Sequence, residues 1–504
     1  MLTYSSNKRI AKNTLYLYLR LLISLILNLY ISRILLRTLG VDDFGIYNIV
    51  GGIVILMLFV NSTMHNASLR FINISIGGGD VEDVRRTIST SIQIHILLAF
   101  IFLLIGETVG LWYVSYQLNI PSGSYETVLV LYQLSLLTAI ISIIQVPLTS
   151  TIMSYEKIDV YAQIEIIHVI VRCIIIFLIP FFSNRLIAYG FLLLIVSIVF
   201  FTIYAIYCGN KIREFCIRKI VYKEKIVSMF SFALFNLIGD GTFAVRQQGT
   251  NLLINKYFGV GLNAASGVAT QAASLISTFT TNTQAAFKPQ IIKAYSAKNL
   301  GRMKELIARE TDILFILLSF IVNIVLTNLD YLMGLWLEVI PIYAVKFCRI
   351  IILCNLLTVI NQIIATAIHA TGKVKTFNCI VGSLNLLCVF FSFVFFCFGF
   401  EPEFAYYSYA FILVLKIIGE AFILNRNIPE VTCMYYIGVI RKPLLLLIIS
   451  YLSVYSCTLL TNGNIERLVL TTVVNIVVVT ILTFLLFPYL RNIIVLNLRN
   501  IFYK

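Results

Sequence analysis

Long apolar segments follow one another along almost the whole chain, and they constrain its fold more than any other feature. A helix that crosses a lipid bilayer needs about 20 mostly apolar residues, and about fourteen segments meet that need. The intervals between them are too short for a folded soluble domain. The sequence therefore predicts an all-α integral membrane protein with about 14 transmembrane helices. The segments lie near residues 13–36, 44–66, 89–114, 125–153, 160–180, 185–207, 228–256, 262–287, 311–329, 343–369, 376–398, 404–424, 442–461 and 467–487.

The composition excludes several other classes of protein. Of the 504 residues, 60% are hydrophobic and 12% are charged, whereas soluble globular domains carry about 25% charged residues. The net charge of +15 resides mainly in the loops between apolar segments, so we expect no nucleic-acid partner. The ten cysteines include no Cys-x-x-Cys pair and the four histidines are far apart in sequence. We therefore expect no disulfide framework, no metal site and no cofactor.

The basic residues of the loops predict how the helices are oriented, because cytoplasmic loops carry an excess of lysine and arginine. With the N-terminus in the cytoplasm and alternating helices, 26 of the 38 basic residues fall on the cytoplasmic side and 5 on the outer side. Both termini are then cytoplasmic. The first apolar segment is too long for a signal peptide and should remain as a helix. We predict a multi-pass protein of the cell inner (cytoplasmic) membrane.

An internal repeat organises the chain. Residues 32–43, SRILLRTLGVDD, and residues 251–262, NLLINKYFGVGL, both place Gly-Val after the end of a predicted helix. The same offset pairs later helices and loops, which predicts two parallel six-helix lobes and a substrate cavity between them. The predicted domains are an N-terminal lobe at 1–210, a basic cytoplasmic linker at 211–227, a C-terminal lobe at 228–425, and two additional transmembrane helices with a cytoplasmic tail at 426–504.

Arg20 stands inside the first apolar segment, where an arginine is costly. At a helix centre the cost is about 2.5–3.5 kcal/mol on insertion scales, and such residues usually face a protein interior or a wet cavity. We predict that Arg20 is a substrate-binding contact for a diphosphate or an acidic sugar. The alternative is an arginine that reaches toward water or belongs to an internal ion pair. For Arg33, near the outer end of the same helix, reaching toward water is the better interpretation.

A polar stripe runs along the fifth apolar segment. At 100° per residue, Glu165 and Arg172 lie within about 20° of each other, and His168 lies about 60° from Glu165. Charged side chains in lipid should point into the protein. We predict that Arg172 binds substrate and that Glu165 and His168 take part in ion coupling, and a buried structural pair is the alternative.

Polar residues in three other helices add further candidates. In the seventh segment, Arg246 is predicted to bind substrate and Asp240 to take part in ion coupling, with structural roles as the alternatives. Lys416 and Glu420 are one helical turn apart and are predicted to neutralise each other. Pro147 interrupts the fourth segment and is predicted to be a hinge, although a static kink has the same sequence signature.

Four stretches together resemble polysaccharide and O-antigen (Wzx-type) flippases of the multidrug/oligosaccharidyl-lipid/polysaccharide (MOP) exporter superfamily. The resemblance implies two six-helix lobes, as in MATE-type exporters, which rock between inward-open and outward-open states. It also implies a substrate, an undecaprenyl-diphosphate-linked oligosaccharide of O-antigen, capsule or exopolysaccharide, moved from the cytoplasmic to the periplasmic leaflet. The stretches are NKRIAKNTLYLYLR (7–20), SRILLRTLGVDDFGIYNIV (32–50), NLLINKYFGVGLNAASGVATQ (251–271) and FKPQIIKAYSAKN (287–299).

Other functions remain open on the sequence. A cation-coupled multidrug exporter of the MATE type would favour carboxylates in its cavity. Here basic residues in or beside the predicted helices outnumber acidic ones by seven to four, which favours an anionic substrate. A lipid II flippase is a further alternative. A membrane glycan polymerase would need a larger outer loop, so we predict that the protein is not an enzyme. The predicted partners are the lipid-linked oligosaccharide, membrane lipids and other polysaccharide assembly proteins, with coupling to protons or sodium.

Overall fold

The structure is a computed structural model that describes residues 2–121, 123–215, 222–371, 374–461 and 463–491. Part of the predicted linker and the C-terminal tail beyond residue 491 lie outside these ranges. Within them, all side chains are described except those of residues 2–19, 21–22, 53–60, 62, 66, 232–240, 275, 282, 285–286, 289, 296, 374–375 and 433.

The described residues fold into α-helices joined by short loops, and none of them lies in a β-strand. The helices are α1 (Leu2–Gly78), α2 (Val81–Ile105), α3 (Leu111–Tyr116), α4 (Tyr125–Ser154), α5 (Ile158–Ile176), α6 (Arg185–Lys211), α7 (Lys223–Phe258), α8 (Val260–Ser296), α9 (Leu300–Thr327), α10 (Leu329–Trp336), α11 (Ala344–Ala370), α12 (Val374–Cys397), α13 (Phe404–Asn427), α14 (Cys433–Cys457) and α15 (Asn464–Leu486).

Eleven helical segments among the described residues are long and apolar enough to cross a membrane. Each of them overlaps at least one predicted span, so the prediction of an all-α, multi-pass membrane protein is confirmed. The total of fourteen spans, the choice of membrane and the cytoplasmic position of the termini stay predictions.

Two glycines in the same unusual conformation mark the internal repeat. The first two predicted spans lie within α1, which consists of two helices that meet at a kink at Gly40, with φ 83° and ψ 175°. Gly259, at the end of α7, has φ 85° and ψ 179°. Only glycine adopts this conformation readily. Each glycine precedes a valine at the corresponding place in the repeat, so the sequence repeat has a counterpart in the backbone.

The described chain divides into two compact units, and the predicted lobe boundaries stay a prediction. The first unit contains α1 to α7 with the beginning of α8, and the second contains the remaining helices and most of α12. The first comprises Met1–Gly267, Leu337–Ile342 and Val389–Pro402, and the second comprises Val268–Trp336, Tyr343–Cys388 and Glu403–Lys504.

Helix α4 is central to the first unit, where it packs against α1, α2 and α6. Its Tyr132 side chain is buried in a cluster with Ile46 and Ile49 of α1. The Tyr132 hydroxyl donates a hydrogen bond to the main-chain oxygen of Gly106, at 2.8 Å, in the π-helical turn that follows α2. Helix α5 packs against α1 and α6. These contacts determine which neighbours the polar face of α5 meets.

In the second unit, buried polar side chains join α9 to α14 and α15. Asn323 of α9 donates to the Ser450 hydroxyl at 2.7 Å and to the Asn475 side-chain oxygen at 3.1 Å. Asn475 in turn donates to the main-chain oxygen of Ser319 at 3.2 Å. Because lipid offers no hydrogen-bond partners, such bonds favour helix association within a membrane. They attach the two helices that follow the sequence repeat.

Helix α9 begins at Leu300, whereas hydropathy placed the start of this span at residue 311. Its first turns are amphipathic, with Arg302, Glu305 and Arg309 in ion pairs on one face. These charges lower the local hydropathy, so the predicted start was too late. Consequently Glu310 lies within the helix, on its buried side, rather than at its edge. The other buried side chains of these turns are Met303, Leu306 and Ile307.

Candidate functional site

One face of α5 carries four polar side chains that are partly buried: Tyr161, Glu165, His168 and Arg172. At 100° per residue the four lie within a sector of about 60°. We call these four residues the α5 stripe. The opposite face exposes large apolar side chains: Ile167, Ile170 and Ile174. The helix therefore turns its apolar face outward, as toward lipid, and its polar face toward the neighbouring helices, as the sequence predicted for Glu165, His168 and Arg172.

Arg20 of α1 contacts the first residue of the α5 stripe. Its Nη1 atom donates a hydrogen bond to the Tyr161 hydroxyl at 3.1 Å, and its guanidinium carbon lies 5.3 Å from the centre of that ring. The Nε atom of Arg20 is buried and has no hydrogen-bond partner among the described atoms. Among the side chains that the structure describes, Arg20 forms no ion pair. Its charge is thus held in place by a neutral phenol.

Glu165 follows Tyr161 by one helical turn and is held by α6. The buried Tyr204 hydroxyl donates to Glu165 Oε1 at 2.8 Å. The four side chains of Arg20, Tyr161, Glu165 and Tyr204 therefore form two neighbouring hydrogen-bonded pairs. A carboxylate and a guanidinium are both present here, each with a tyrosine as its hydrogen-bond partner.

The far end of the α5 stripe lines a cavity within the first unit. Arg172 lies within electrostatic reach of Glu165 and of Tyr189 of α6, and the centre of the Tyr189 ring lies 5.1 Å from that of Tyr47 of α1. The cavity has a volume of about 350 Å³ and lies among α1, α4, α5 and α6. Arg172 and His168 both line it, and the His168 ring lies 4.5 Å from that of Phe200. Hydroxyl groups supply much of the remaining polar lining: Ser135, Thr138, Ser142 and Ser197.

The remaining predicted residues lie elsewhere. Arg246 of α7 is buried, with its guanidinium carbon 5.0 Å from the centre of the Phe243 ring. The side chain of Asp240 lies outside the described residues. Pro147 is buried inside α4, and its main-chain oxygen accepts a hydrogen bond from Thr151 at 2.7 Å. The substrate-binding role of Arg246, the coupling role of Asp240 and the hinge at Pro147 stay predictions.

Arg33 has an ionic partner, unlike Arg20. Its Nη2 atom lies 3.7 Å from Glu338 Oε1, and Arg37 Nη1 lies 3.0 Å from the same oxygen. Both arginines are well exposed. Because Glu338 interacts with both Arg33 and Arg37, we do not count these two arginines among the substrate-binding candidates.

The tyrosines are the site residues that the sequence alone did not identify. Tyr161 could have been found, because it precedes Glu165 by four residues and completes the spacing of the α5 stripe. Tyr189 and Tyr204 could not, because the spacing within α5 does not reveal which residues of α6 meet it.

Comparison with known proteins identifies the fold. No protein-family model matches the chain, and no curated protein matches it. Among solved structures, the chain is similar to the lipid II flippase MurJ in an inward closed conformation, with a TM-score of 0.69 and 13% identity over 95% of this chain and 99% of that one.

Two further kinds of structure match. A MATE family multidrug resistance transporter of the MOP superfamily matches in its inward-facing conformation, with a TM-score of 0.65 and 13% identity over 85% of this chain and 98% of that one. A MOP superfamily transporter from Pyrococcus furiosus, described as having a binding pocket of reverse polarity, matches with a TM-score of 0.53 and 13% identity over 82% and 92%. These proteins are transporters or flippases rather than enzymes. The chain therefore has the fold of MOP superfamily transporters.

Proposed function

We propose that the protein flips an undecaprenyl-diphosphate-linked oligosaccharide, the repeat unit of an O-antigen, capsule or exopolysaccharide, from the cytoplasmic to the periplasmic leaflet by alternating access. The fold shared with MOP superfamily transporters supports membrane transport, and the resemblance of four sequence stretches to Wzx-type flippases supports this substrate class. The chemistry of the first unit supports an anionic head group.

The observation that carries the proposal is the pairing of Arg20 with Tyr161. A tyrosine hydroxyl orients the guanidinium group without neutralising its charge, and an arginine retains that charge in nearly any environment. Placing such a charge in a membrane helix costs about 2.5–3.5 kcal/mol, which a structural role could avoid with an uncharged side chain. A phosphate group bound to the planar guanidinium would offset that cost through charge-assisted hydrogen bonds.

The length of the α5 stripe also suits this substrate. Tyr161 and Arg172 are eleven residues apart, which separates their positions along the helix by roughly 16 Å. With the predicted orientation, Arg20 and Tyr161 lie toward the cytoplasmic end and Arg172 toward the outer end. A diphosphate arriving from the cytoplasmic leaflet would meet Arg20, and sugar hydroxyls would hydrogen-bond the polar cavity beside Arg172.

A lipid II flippase is the second candidate, because the match to MurJ covers 95% of this chain and includes the region of α14 and α15. Its substrate is also a diphosphate-linked lipid, so the Arg20 chemistry serves both candidates equally. A drug exporter is less well supported, since it would favour carboxylates in its cavity, whereas Arg20 forms no ion pair with any side chain that the structure describes.

The test of the proposed function measures lipid-linked glycan on each side of the membrane in a deletion strain that carries variants of the protein. We expect Arg20→Lys to retain partial activity, Arg20→Ala to lose most of it and Arg20→Glu to lose all of it. Arg33→Ala is the matched control on the same helix, and its activity should stay near that of the wild type. Loss of one surface polysaccharide without cell lysis indicates the polysaccharide flippase, whereas lysis indicates lipid II.

Two outcomes would contradict the role of Arg20. One is full activity of Arg20→Ala at a normal protein level. The other is a low protein level for Arg20→Ala that is restored by neutralising an acidic residue elsewhere. The second outcome would show that Arg20 belongs to a structural ion pair.

A further inference from the structure

Two carboxylic acids of the second unit are almost completely removed from solvent. Glu310 of α9 has 0% of its surface exposed, and Glu420 of α13 has 2%. Neither oxygen of Glu310 has a hydrogen-bond partner among the described atoms, and neither does Oε2 of Glu420. Buried polar groups in proteins are nearly always hydrogen-bonded. Among the described acidic residues, only Glu310 has two buried carboxyl oxygens that both lack a partner.

A tyrosine near both acids also has a hydroxyl without a hydrogen-bond partner among the described atoms. Tyr436 of α14 is 3% exposed, and its hydroxyl forms no hydrogen bond to any described atom. The hydroxyl lies within electrostatic reach of both Glu310 and Glu420. Three helices therefore contribute one unpartnered polar group each to the same buried place.

Glu420 has a positively charged neighbour on its own helix. Lys416, one turn earlier on α13, attracts the charge of Glu420 and donates to the Asn385 side chain at 2.6 Å. Tyr436 interacts electrostatically with Glu310. The nearby Asp312 of α9 interacts instead with Tyr489 and Lys442. Tyr435 of α14 donates to the main chain of α9. On α11, Lys346 and Arg349 pair with Glu403 and Asp330, and His369 packs against Phe377. Arg467 of α15 donates to the main-chain oxygen of Thr461.

A buried carboxylate without a partner is costly, since the penalty for removing an ion from water is several kcal/mol even after relaxation. Binding one proton removes that charge. Within the described part of the chain, no group of three acidic, histidine or cysteine side chains could hold a metal ion. We propose that Glu310, Glu420 and Tyr436 form a proton-binding site of the second unit, in which Glu310 takes up and releases the proton.

Release of the proton has a structural consequence. A charged Glu310 needs a hydrogen-bond donor. The Tyr436 hydroxyl lies within electrostatic reach and forms no hydrogen bond to a described atom, so it can serve as that donor. Forming that bond would draw α14 toward α9, and rebinding the proton would release it. The protonated and deprotonated states of Glu310 thus favour different packing of α9 and α14. This coupling of the proton to the transport cycle rests on the proposed function, whereas proton binding itself does not.

The first experiment tests proton binding in the purified full-length protein, without any transport substrate. Difference infrared spectra recorded between acidic and alkaline pH should contain the C=O stretching band of a protonated carboxyl group that is sensitive to D2O. Glu310→Gln should remove this band, and the exposed Glu305→Gln on the same helix should retain it. Tyr436→Phe should keep the band and shift the pH at which it disappears. A band that Glu310→Gln leaves unchanged, or no such band in the wild type, refutes the site.

The second experiment tests coupling in proteoliposomes that contain the lipid-linked glycan. An imposed pH gradient should accelerate flipping by the wild type and by Glu305→Gln, and it should not affect Glu310→Gln. Acceleration that persists in Glu310→Gln, or a response to a sodium gradient in place of a pH gradient, refutes the coupling. If neither the wild type nor any variant flips the glycan, the proposed function is refuted. If the infrared band nevertheless behaves as expected, the proton-binding site is still supported.

Discussion

Three glycines of α1 allow backbone conformation and close packing to be tested separately in one helix. Gly40 has a positive φ, and a Cβ atom added there meets nothing within 4 Å. Gly45 is helical, but an added Cβ would lie 2.1 Å from the main-chain oxygen of Val260. Gly51 is helical and also has open space around it. Alanine should therefore introduce backbone strain at Gly40, a steric clash at Gly45 and neither of these at Gly51.

The magnitudes follow from these geometries. Gly40→Ala forces a side chain into a conformation that costs about 1–3 kcal/mol. In Gly45→Ala, the neighbouring main chain must retreat by about 1.3 Å to restore a contact of 3.4 Å, and overpacking of this kind typically costs about 1–3 kcal/mol. Gly51→Ala should be neutral or stabilise the protein by up to about 1 kcal/mol, because alanine favours a helix.

The assay is thermal unfolding of each variant purified in the same detergent, together with glycan flipping at matched protein levels. We expect Gly40→Ala and Gly45→Ala to unfold at lower temperature than the wild type, and Gly51→Ala to unfold at the same or higher temperature. Gly259→Ala should behave like Gly40→Ala, because the two glycines share one conformation. If Gly40→Ala is as stable as Gly51→Ala, the positive φ of Gly40 on which this prediction rests is refuted.

Two further predictions concern the site and the orientation of the chain. Tyr161→Phe removes the hydroxyl that orients Arg20 but keeps the ring, so flipping should fall by less than in Arg20→Ala; a rate equal to that of the wild type would show that the hydrogen bond is dispensable. Reporter fusions at Lys298 and Glu403 should report the cytoplasm and the outer side respectively, as the distribution of basic loop residues predicts, and the reverse result would overturn that orientation.

Much of the fold was predictable because the length of each apolar segment and the positions of the glycines can be read directly from the local sequence. The spans follow from runs of apolar residues, and the Gly-Val repeat pointed to the two turns at Gly40 and Gly259. The start of α9 was not predictable in the same way. Its first turns bury one face and expose charges on the other, so that mean hydropathy excluded Glu310 from the span.

The candidate site was predictable only along one helix. A helical period places Glu165, His168 and Arg172 on one face, whatever the fold around them. Their partners on α6 depend on how two helices pack, which no local pattern encodes. The same limit applies to Glu310, whose neighbours Glu420 and Tyr436 come from helices that are distant in sequence. The prediction that Lys416 neutralises Glu420 did not anticipate either neighbour.

The basic side chains of this protein differ in the groups that they contact, and this difference is more informative than their depth in the predicted membrane spans. At the ends of the helices, basic side chains meet carboxylates: Arg37 meets Glu338, and Lys225 lies 2.7 Å from Asp83. In the α5 region, Arg20 donates to the Tyr161 hydroxyl, and Arg172 lies near both Tyr189 and Glu165. A carboxylate would cancel the charge it orients, whereas a phenol leaves it intact for another anion. The tyrosine beside Arg20 is therefore consistent with the anionic substrate that we propose.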